Sequence, residues 1–154
     1  MSVRADAENL RLIPIFRDCD PVALQVMAFA AERQNFLQNE ALFKEEQPAR
    51  SAYFIMNGQV SLRQRGAEVG VAVPGSMLGE TAMIGSSTYS LTAVATESVA
   101  TARIDQALFR RVVAEYPEFG RAVAFAISRK LETTVRELDQ VRVMMTRGRR
   151  LSDF

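Results

Sequence analysis

The feature that most restricts the fold is the stretch of residues 33–104, where short apolar-leaning runs are separated by turn residues. In the run QVSLRQ, Val60 and Leu62 alternate with polar residues, which is the period of two expected of a half-buried strand. Seven or eight short strands at regular spacing favour a sandwich or barrel over alternating βα units. The clearest runs are RQNFL, ALFKE, AYFIM, QVSLRQ, EVGVAV, LTAVATE and VATARI.

One dipeptide in this stretch predicts how two of the strands are joined. Asn57-Gly58 lies between the runs AYFIM and QVSLRQ. An Asn-Gly pair between two strands is the strongest short signal for a β-hairpin. We therefore expect these two runs to be neighbours in one sheet.

Helices are predicted on the N-terminal side of the strands, within residues 6–31. Residues 6–13 have the pattern of a short helix that ends before Pro14. Asp20 is a carboxylate N-cap, and Pro21 follows it at the first helical position, where a missing N–H costs nothing. We therefore predict a second helix over residues 21–31.

Helical signals return after the strands, and they predict C-terminal helices over residues 105–146. Asp105 is an N-cap for a helix over 106–115, and Pro117 marks the start of a second helix that runs to about residue 146. A basic tail, residues 147–154, follows. The predicted fold class is therefore mainly β, a barrel with N-terminal helices and a long C-terminal helix.

The long C-terminal helix carries an apolar stripe that has two interpretations. Its positions are separated alternately by three and four residues, as in a coiled-coil seam, which predicts a homodimer through residues 117–146. Alternatively, a single helix lays this stripe on the barrel, with Phe119, Val123 and Val135 at flanking positions. The stripe consists of Ala124, Ile127, Leu131, Thr134, Leu138, Val141 and Met145.

Composition excludes most catalytic chemistry. The 154 residues, 48% of them apolar and 24% charged, suit one globular domain, residues 1–154. Because the chain has no histidine, it has no Ser-His-Asp triad, no Cys-His pair and no His-ligated metal. Cys19 is the only cysteine, so it forms no internal disulfide, and we expect it to be a buried or idle thiol. We predict that the protein is not an enzyme.

Charge and hydropathy suggest a cytoplasmic setting. The net charge of +1 gives no general attraction to nucleic acid or to a membrane. Residues 121–150 hold eight basic and three acidic residues, a net +5, so the rest of the chain carries −4; such basic runs are usually solvated helix faces. The N-terminus lacks the apolar core of a signal peptide, and the most apolar stretch, residues 22–31, is too short to span a bilayer.

The stretch of residues 74–96, PGSMLGETAMIGSSTYSLTAVAT, has the residues of an anion and sugar site. Gly79 gives the backbone freedom before residues 80–84, which can form a single helical turn that includes Thr81. The start of such a turn presents backbone N–H groups that suit an anionic oxygen. Ser90 and Thr92 add hydroxyls, and the Glu80 carboxylate can accept hydrogen bonds from a sugar. Together these groups suggest a nucleotide.

The ordered series of segments resembles the cyclic-nucleotide-binding domain of the catabolite-activator/FNR family of bacterial regulators. The resemblance covers roughly residues 8–146. It implies a jelly-roll-like β-barrel with helices at both ends and a phosphate-binding cassette at LGETAMI. The matching segments are LIPIFRDCD, ALFKEEQPARSAYFIMNGQVSL, LGETAMI and IDQALFRRVVAEYPE.

The resemblance also implies roles for single residues. In this family, backbone N–H groups of the cassette hold the cyclic phosphate, and a glutamate that matches Glu80 binds the ribose 2′-hydroxyl. Gly79 matches the glycine before that glutamate, and Ala82 matches the small residue within the short helix. Thr92 matches a small or hydroxyl position at the start of the next strand. Thr134 falls where a threonine of the catabolite activator contacts the base.

The chain departs from the family pattern at one position of the cassette. The family carries an arginine that pairs with the phosphate oxygens, and Tyr89 occupies its place here, followed by Ser90 at the small-residue position. A tyrosine hydroxyl offers one neutral hydrogen bond, whereas arginine offers a charged fork, so phosphate binding is expected to weaken by roughly tenfold to a hundredfold. Basic residues elsewhere, such as Arg63, Arg65 or Arg103, could substitute.

Two functions from different classes follow. The first is a stand-alone cytoplasmic sensor domain that binds a cyclic nucleotide such as cAMP or cGMP, needs no other cofactor, and signals through its C-terminal helices. The alternative is a degenerate barrel that binds no ligand and acts as a dimerisation or interaction scaffold for a protein partner that the sequence does not identify. After residue 146 no helix-turn-helix follows, so we expect no sequence-specific DNA binding.

Overall fold

A computed structural model describes residues 9–129 of the chain. The strands are β1 (Glu32–Phe36), β2 (Ala41–Phe43), β3 (Ser51–Asn57), β4 (Val60–Gln64), β5 (Ala67–Ala72), β6 (Met77–Leu78), β7 (Thr92–Ala95) and β8 (Val99–Asp105). The helices are α1 (residues 9–11), α2 (Pro21–Ala30), α3 (Gln106–Glu115) and α4 (residues 117–129), with 3₁₀ turns at Pro14–Phe16 and Glu80–Met83.

The eight strands form two four-stranded antiparallel sheets. One sheet has the order β1-β8-β3-β6 and the other the order β2-β7-β4-β5. The inner faces of both sheets enclose one apolar core, which confirms a jelly-roll-like barrel with flanking helices. Seven of the strands correspond to the seven apolar runs of the sequence, and β6 is the short eighth strand within PGSMLGE.

A second apolar core lies between the outer face of the β1-β8-β3-β6 sheet and the helices. Strand β3 serves both cores because its side chains alternate between the two faces of the sheet. Ala52 and Phe54 pack in the helical core, whereas Tyr53 and Ile55 pack in the barrel core. The continuous apolar run AYFIM is thus a strand that is buried on both faces.

The predicted N-caps are confirmed by the side-chain geometry. The Asp20 carboxylate accepts a hydrogen bond of 2.9 Å from the backbone N–H of Val22 at the start of α2. The Asp105 carboxylate accepts one of 2.7 Å from the backbone N–H of Leu108 at the start of α3. Both helices therefore lie within one residue of the expected bounds.

The described part of the long helix packs on its own domain. Phe119, Val123 and Ile127 follow one another at a spacing of four residues on α4, and all three are buried in the helical core. The Phe119 ring stacks on Phe16 with ring centroids 6.2 Å apart. Ile127 belongs to the stripe that has two interpretations, and at this position the structure favours packing on the domain, because the residue is 1% exposed within one chain. The seam positions from Leu131 onward lie outside the described residues.

The predicted Asn57-Gly58 hairpin is also wrong, because β3 and β4 belong to different sheets. Residues 58–59 form a corner by which the chain leaves one sheet and enters the other. Gly58 has a φ of +89°, and a Cβ built on it would lie 2.4 Å from the carbonyl oxygen of Ser98. A glycine is therefore needed at position 58 because this corner closely approaches the corner at Ser98, where the chain passes from β7 to β8. No hairpin turn is involved.

The two-residue hairpin of this fold lies one strand later, at Arg65-Gly66. It joins β4 to β5, which pair directly from Gln64 to Ala67. Both residues have positive φ, 52° and 82°, as a type I′ turn requires. Arginine rarely adopts this conformation, and for that reason the sequence signal was weak.

Within the described residues, no helix combines the length and the apolar character that crossing a bilayer requires.

Candidate functional site

The cassette stretch begins with a left-handed residue and a short helical turn. Strand β6 ends at Leu78, and Gly79 follows with a φ of 69° and a ψ of 29°. The turn Glu80–Met83 then begins, and its first internal bond runs from the Ala82 N–H to the Gly79 carbonyl at 3.0 Å. The expected helical turn at residues 80–84 is thus present as a 3₁₀ turn, with Glu80 and Thr81 half-buried.

The cassette turn contacts both cores of the domain. Ala82 is fully buried in the barrel core, and its neighbour Met83 is buried in the helical core. Just beyond the turn, the Gln106 side chain at the start of α3 donates a hydrogen bond of 3.0 Å to the Gly85 carbonyl. A displacement of this turn would therefore change its contacts with α3 and with the helical core.

Tyr89 points into the barrel. Its ring stacks on Phe43, with centroids 4.1 Å apart and planes inclined by 16°, and the residue is 9% exposed. Its hydroxyl donates a hydrogen bond of 2.7 Å to the Ser51 carbonyl and accepts a longer one, 3.3 Å, from the Ser51 N–H. The hydroxyl is thus bonded to the backbone of β3.

The backbone around Tyr89 is held by the loop after β2. The Tyr89 N–H donates to the Gln47 carbonyl at 3.0 Å, and the Tyr89 carbonyl accepts from the Glu46 N–H at 2.8 Å. Thr88 forms an antiparallel bridge with Pro48. These bonds fix the segment, so that residue 89 faces the barrel interior.

Gly79 and Tyr89, two of the residues expected at the site, are brought into contact. A Cβ built on Gly79 would lie 3.0 Å from Cε1 of Tyr89 and 3.2 Å from the Ser51 carbonyl oxygen. A side chain at position 79 would therefore push against the tyrosine ring and a backbone atom. The glycine serves both the left-handed turn and this close packing.

Aromatic side chains line the barrel interior on this side. The Phe43 ring lies between Tyr89 and Tyr53, the latter at a centroid distance of 5.9 Å. The Phe36 ring meets Tyr53 edge-on at 6.0 Å. The interior beside the cassette is therefore apolar, apart from the tyrosine hydroxyls.

One arginine lies on the inner face beside this aromatic cluster. Arg103 of β8 pairs directly with Tyr53 on β3 and with Glu32 on β1, so the three side chains share a face of the sheet. Its Nε donates to the Ser51 hydroxyl at 2.9 Å, and one of its terminal nitrogens lies 2.9 Å from the Glu32 carboxylate. The Arg103 side chain is 31% exposed, so it lies at the edge of the barrel interior.

The electrostatics of the inner face follow from burial and from this arginine. Burial raises the pKa of the Tyr53 hydroxyl, and the nearby Tyr89 adds to the rise. Arg103 opposes it, through its charge and through a hydrogen bond to the hydroxyl. Arg103 therefore brings positive charge into an otherwise apolar interior.

Several other candidates lie away from this interior. Ser90 is exposed, and Thr92 alternates with Ala93 and Ala95, which pack in the barrel core, so Thr92 lies on the opposite face of β7. The Thr92 hydroxyl accepts a hydrogen bond of 3.0 Å from the Glu45 N–H. Thr134 lies outside the described residues.

The two other basic residues suggested as substitutes are also not directed inward. Arg63 pairs with Thr92 across β4 and β7, and its Nε donates to the Ser61 hydroxyl at 3.2 Å, which places it on the outer face. Arg65 lies in the β4–β5 turn, where its backbone N–H donates to the Glu45 carboxylate. Of the three arginines, only Arg103 faces the barrel interior.

Sequence reasoning missed Ser51 and Phe43. Ser51 connects the site, because its hydroxyl contacts Arg103 and its carbonyl contacts Tyr89. Phe43 stacks on Tyr89. Strand position alone does not indicate either contact, since both depend on how the two sheets face each other.

Within residues 9–129, the structure contains no cluster of metal-ligating side chains and no exposed thiol. Among residues 9–129, no group of three or more acidic, cysteine or histidine side chains is placed to hold a metal ion. Cys19 is buried, and its thiol donates a weak hydrogen bond of 3.7 Å to the Ile15 carbonyl. Burial first, and Asp18 second, raise the pKa of the Cys19 thiol from 9.0 to about 11.

Cys19 is therefore expected to be unreactive in the folded protein. At pH 8 its thiol stays protonated and covered, so Ellman's reagent should modify it at least tenfold more slowly than in guanidinium. Because the unfolded thiol ionises at lower pH than the folded one, stability should fall as the pH rises from 9.0 towards about 11. Rapid modification of the native protein at pH 8 would contradict the burial of Cys19.

Comparison with known proteins gives a consistent result. The sequence profile of a family described as "Cyclic nucleotide-binding domain" matches residues 33–116. A cyclic nucleotide-binding-like protein from Brucella abortus is 32% identical; the match covers 71% of this chain and 98% of that protein, with a TM-score of 0.67. No curated protein sequence matches at a significant level.

More distant structures share the fold. The sensor domain of the transcriptional regulator DNR from Pseudomonas aeruginosa is 21% identical, with 90% of this chain and 93% of that chain covered and a TM-score of 0.72. The catabolite activator protein from Thermus thermophilus is 21% identical, with 84% of this chain and 63% of that chain covered and a TM-score of 0.71.

Proposed function

This chain belongs to the cyclic nucleotide-binding domain family, and from that premise we propose that it is a regulatory domain that binds a cyclic nucleotide such as cAMP or cGMP inside the barrel. The ligand binds at the turn Glu80–Met83, with its sugar on Glu80. The bound state is transmitted to the C-terminal helices. No catalytic activity is part of the proposal.

The observation that carries this proposal is the local geometry at Gly79-Glu80. Gly79 adopts a left-handed conformation, and the half-buried Glu80 follows it at the first position of a helical turn. A carboxylate in such a position can accept a hydrogen bond from the free 2′-hydroxyl of the ribose. The N–H groups at the start of the turn suit the phosphate.

The packing of the turn supports the signalling part of the proposal. Ala82 and Met83 are consecutive residues buried in different cores, and Gln106 connects the following glycine to α3. A ligand that displaces the turn would change the packing of Met83 under α3 and α4. If the ligand binds one conformation of this turn more tightly than the other, binding would shift the helices towards the matching arrangement.

Glu80→Ala is expected to weaken cyclic nucleotide binding by at least tenfold, because the charge-assisted hydrogen bond from the ribose 2′-hydroxyl is lost. Isothermal titration of the purified protein with cAMP and then cGMP, after mass spectrometry for copurified nucleotide, measures this effect. Glu97→Ala is the matched control, since Glu97 is an exposed carboxylate in the turn between β7 and β8. Equal binding by wild type and Glu80→Ala would remove Glu80 from the site.

A second function is favoured by the position of Tyr89. The resemblance implies an anion-binding arginine at this position, whereas the Tyr89 ring is buried and its hydroxyl is bonded to Ser51. In this alternative the barrel binds no nucleotide, and the domain acts as a scaffold through its helices. It predicts no saturable heat with either nucleotide at millimolar concentration, together with no copurified ligand.

The homodimer through residues 117–146 stays a prediction. Sedimentation equilibrium on the full chain measures it, with and without cyclic nucleotide. Because Ile127 is buried within one chain, a dimer contact must use other residues of the helix.

A further inference from the structure

We propose that Arg103 supplies the positive charge that the cassette lacks and contacts the phosphate of the ligand from the opposite side of the interior. This inference rests on the proposed function, and it identifies the residue that recognises the anionic part of the ligand. Tyr89 then serves as packing and as an anchor to β3.

Arg103 and the cassette segment both contact one residue, Ser51. Ser51 accepts a hydrogen bond from Arg103 on its hydroxyl and one from Tyr89 on its carbonyl. The same carbonyl oxygen lies 3.2 Å from the position of a Cβ on Gly79. Ser51 of β3 therefore lies between the Arg103 guanidinium and Gly79 at the start of the cassette turn.

The sheet register places Arg103 in one row with the strand residue that precedes the cassette turn. Glu32, Arg103, Tyr53 and Leu78 are consecutive partners across β1, β8, β3 and β6. Directly paired residues share a face, so this row crosses the inner face of the sheet and ends next to Gly79. An anion held at the start of the cassette turn would therefore lie beside one end of this row.

The Arg103 guanidinium keeps N–H donors that are not used by its protein contacts. Arg103 contacts Ser51, Glu32 and the Tyr53 hydroxyl, and a guanidinium has five N–H donors, so donors remain for a phosphate oxygen. The Arg103 side chain is 31% exposed, so part of it is accessible to solvent.

Glu32 is the group with which the ligand competes. It lies on the edge strand β1, and its side chain is 65% exposed. Replacing its contact with Arg103 by hydrogen bonds to water therefore costs little free energy. With Glu32 in place, the charge of Arg103 is balanced when no ligand is bound. An incoming phosphate would replace one carboxylate contact by a doubly hydrogen-bonded anion.

The test is a titration series with cAMP in the full chain. Arg103→Gln is expected to weaken binding tenfold to a hundredfold, and Arg103→Lys should restore part of it because the charge returns without the fork. Arg63→Gln removes the same charge from the outer face and should bind as the wild type does. Glu32→Gln should bind twofold to tenfold more tightly, because it removes the competing carboxylate and keeps the arginine.

The opposite directions expected for Arg103→Gln and Glu32→Gln separate recognition from a structural role. A purely structural ion pair would be weakened by both substitutions, and binding would fall or stay constant in both. That result would overturn the inference. Since Glu32 is exposed, Glu32→Gln is expected to fold even where Arg103→Gln does not.

A second probe distinguishes this inference from the proposed function. If the wild type binds cAMP and Arg103→Gln binds it equally well, the function stands and Arg103 is not the anion contact. If neither cyclic nucleotide binds but adenosine 5′-monophosphate binds in a manner that requires Arg103, the anion site stands and the cyclic ligand is wrong. If none of the three nucleotides binds, both are overturned.

Discussion

Tyr89→Arg is expected to bind cAMP tenfold to a hundredfold more tightly than the wild type. The resemblance to the family implies an arginine at this cassette position, and the substitution places a charged fork there. Hydrogen bonds to charged groups contribute about 1.5–3 kcal/mol against about 1 kcal/mol for neutral ones. The gain should be larger at low salt, because the interaction is ionic. Isothermal titration at two salt concentrations measures it.

The same substitution should destabilise the domain. The tyrosine ring stacks on Phe43 and its hydroxyl bonds to the Ser51 backbone, and an arginine provides neither contact inside an apolar barrel. The free energy of unfolding is expected to fall by about 2–4 kcal/mol without ligand. Ligand should recover part of this loss, since only the folded state binds it.

Tyr89→Phe is the control for this pair of effects. It keeps the ring and removes the hydroxyl, so nucleotide affinity should stay unchanged and the free energy of unfolding should fall by about 1 kcal/mol. If Tyr89→Arg folds and binds no more tightly than the wild type, residue 89 does not correspond to the arginine position of the family.

Gly58→Ala is expected to lower the free energy of unfolding by about 2–5 kcal/mol, through left-handed backbone strain and a steric clash that add together. Gly58 has a φ of +89°, and its Cβ would lie 2.4 Å from the Ser98 carbonyl oxygen and 2.9 Å from Cγ2 of Val99. Because the first of these is a backbone atom, the clash is relieved only if the two corners separate. Urea denaturation measures the loss.

Gly66→Ala is the matched control, since it introduces the same strain without the clash. Gly66 has a φ of +82°, and nothing lies within 4 Å of its Cβ position. The expected loss is about 1–2 kcal/mol. Equal losses at positions 58 and 66 would show that the corner at residues 58–59 can open and that the close approach to Ser98 is not rigid.

Much of the fold follows from the sequence, because strand period and helix caps are local properties. Alternating residues predicted β4, and the carboxylates of Asp20 and Asp105 predicted two helix starts. The hairpin at Asn57-Gly58 failed because pairing is not local: the glycine is required by contact with residues 98–99 from another corner. The apolar stripe of α4 was similarly ambiguous, since the same spacing suits a partner helix or the domain's own core.

The site was predicted only in part, for the same physical reason. The turn after Gly79 depends on neighbouring residues and could be read from them. The inward position of Tyr89 depends on the loop of residues 46–48, and the position of Arg103 on the register of three strands. Sequence named Arg103 among three arginines, and only the register places it on the inner face.

The strand order has a consequence for how the chain acquires its structure. β8 lies between β1 and β3, and β7 lies between β2 and β4, so residues 92–105 supply one of the two central strands of each sheet. The ion pair of Arg103 with Glu32 joins residues 71 positions apart. On the ribosome, only the β3–β6 and β4–β5 pairs can form before β7 and β8 emerge. The contact order of the barrel is therefore high, and we expect folding on the millisecond-to-second scale, with closure as a late step of synthesis.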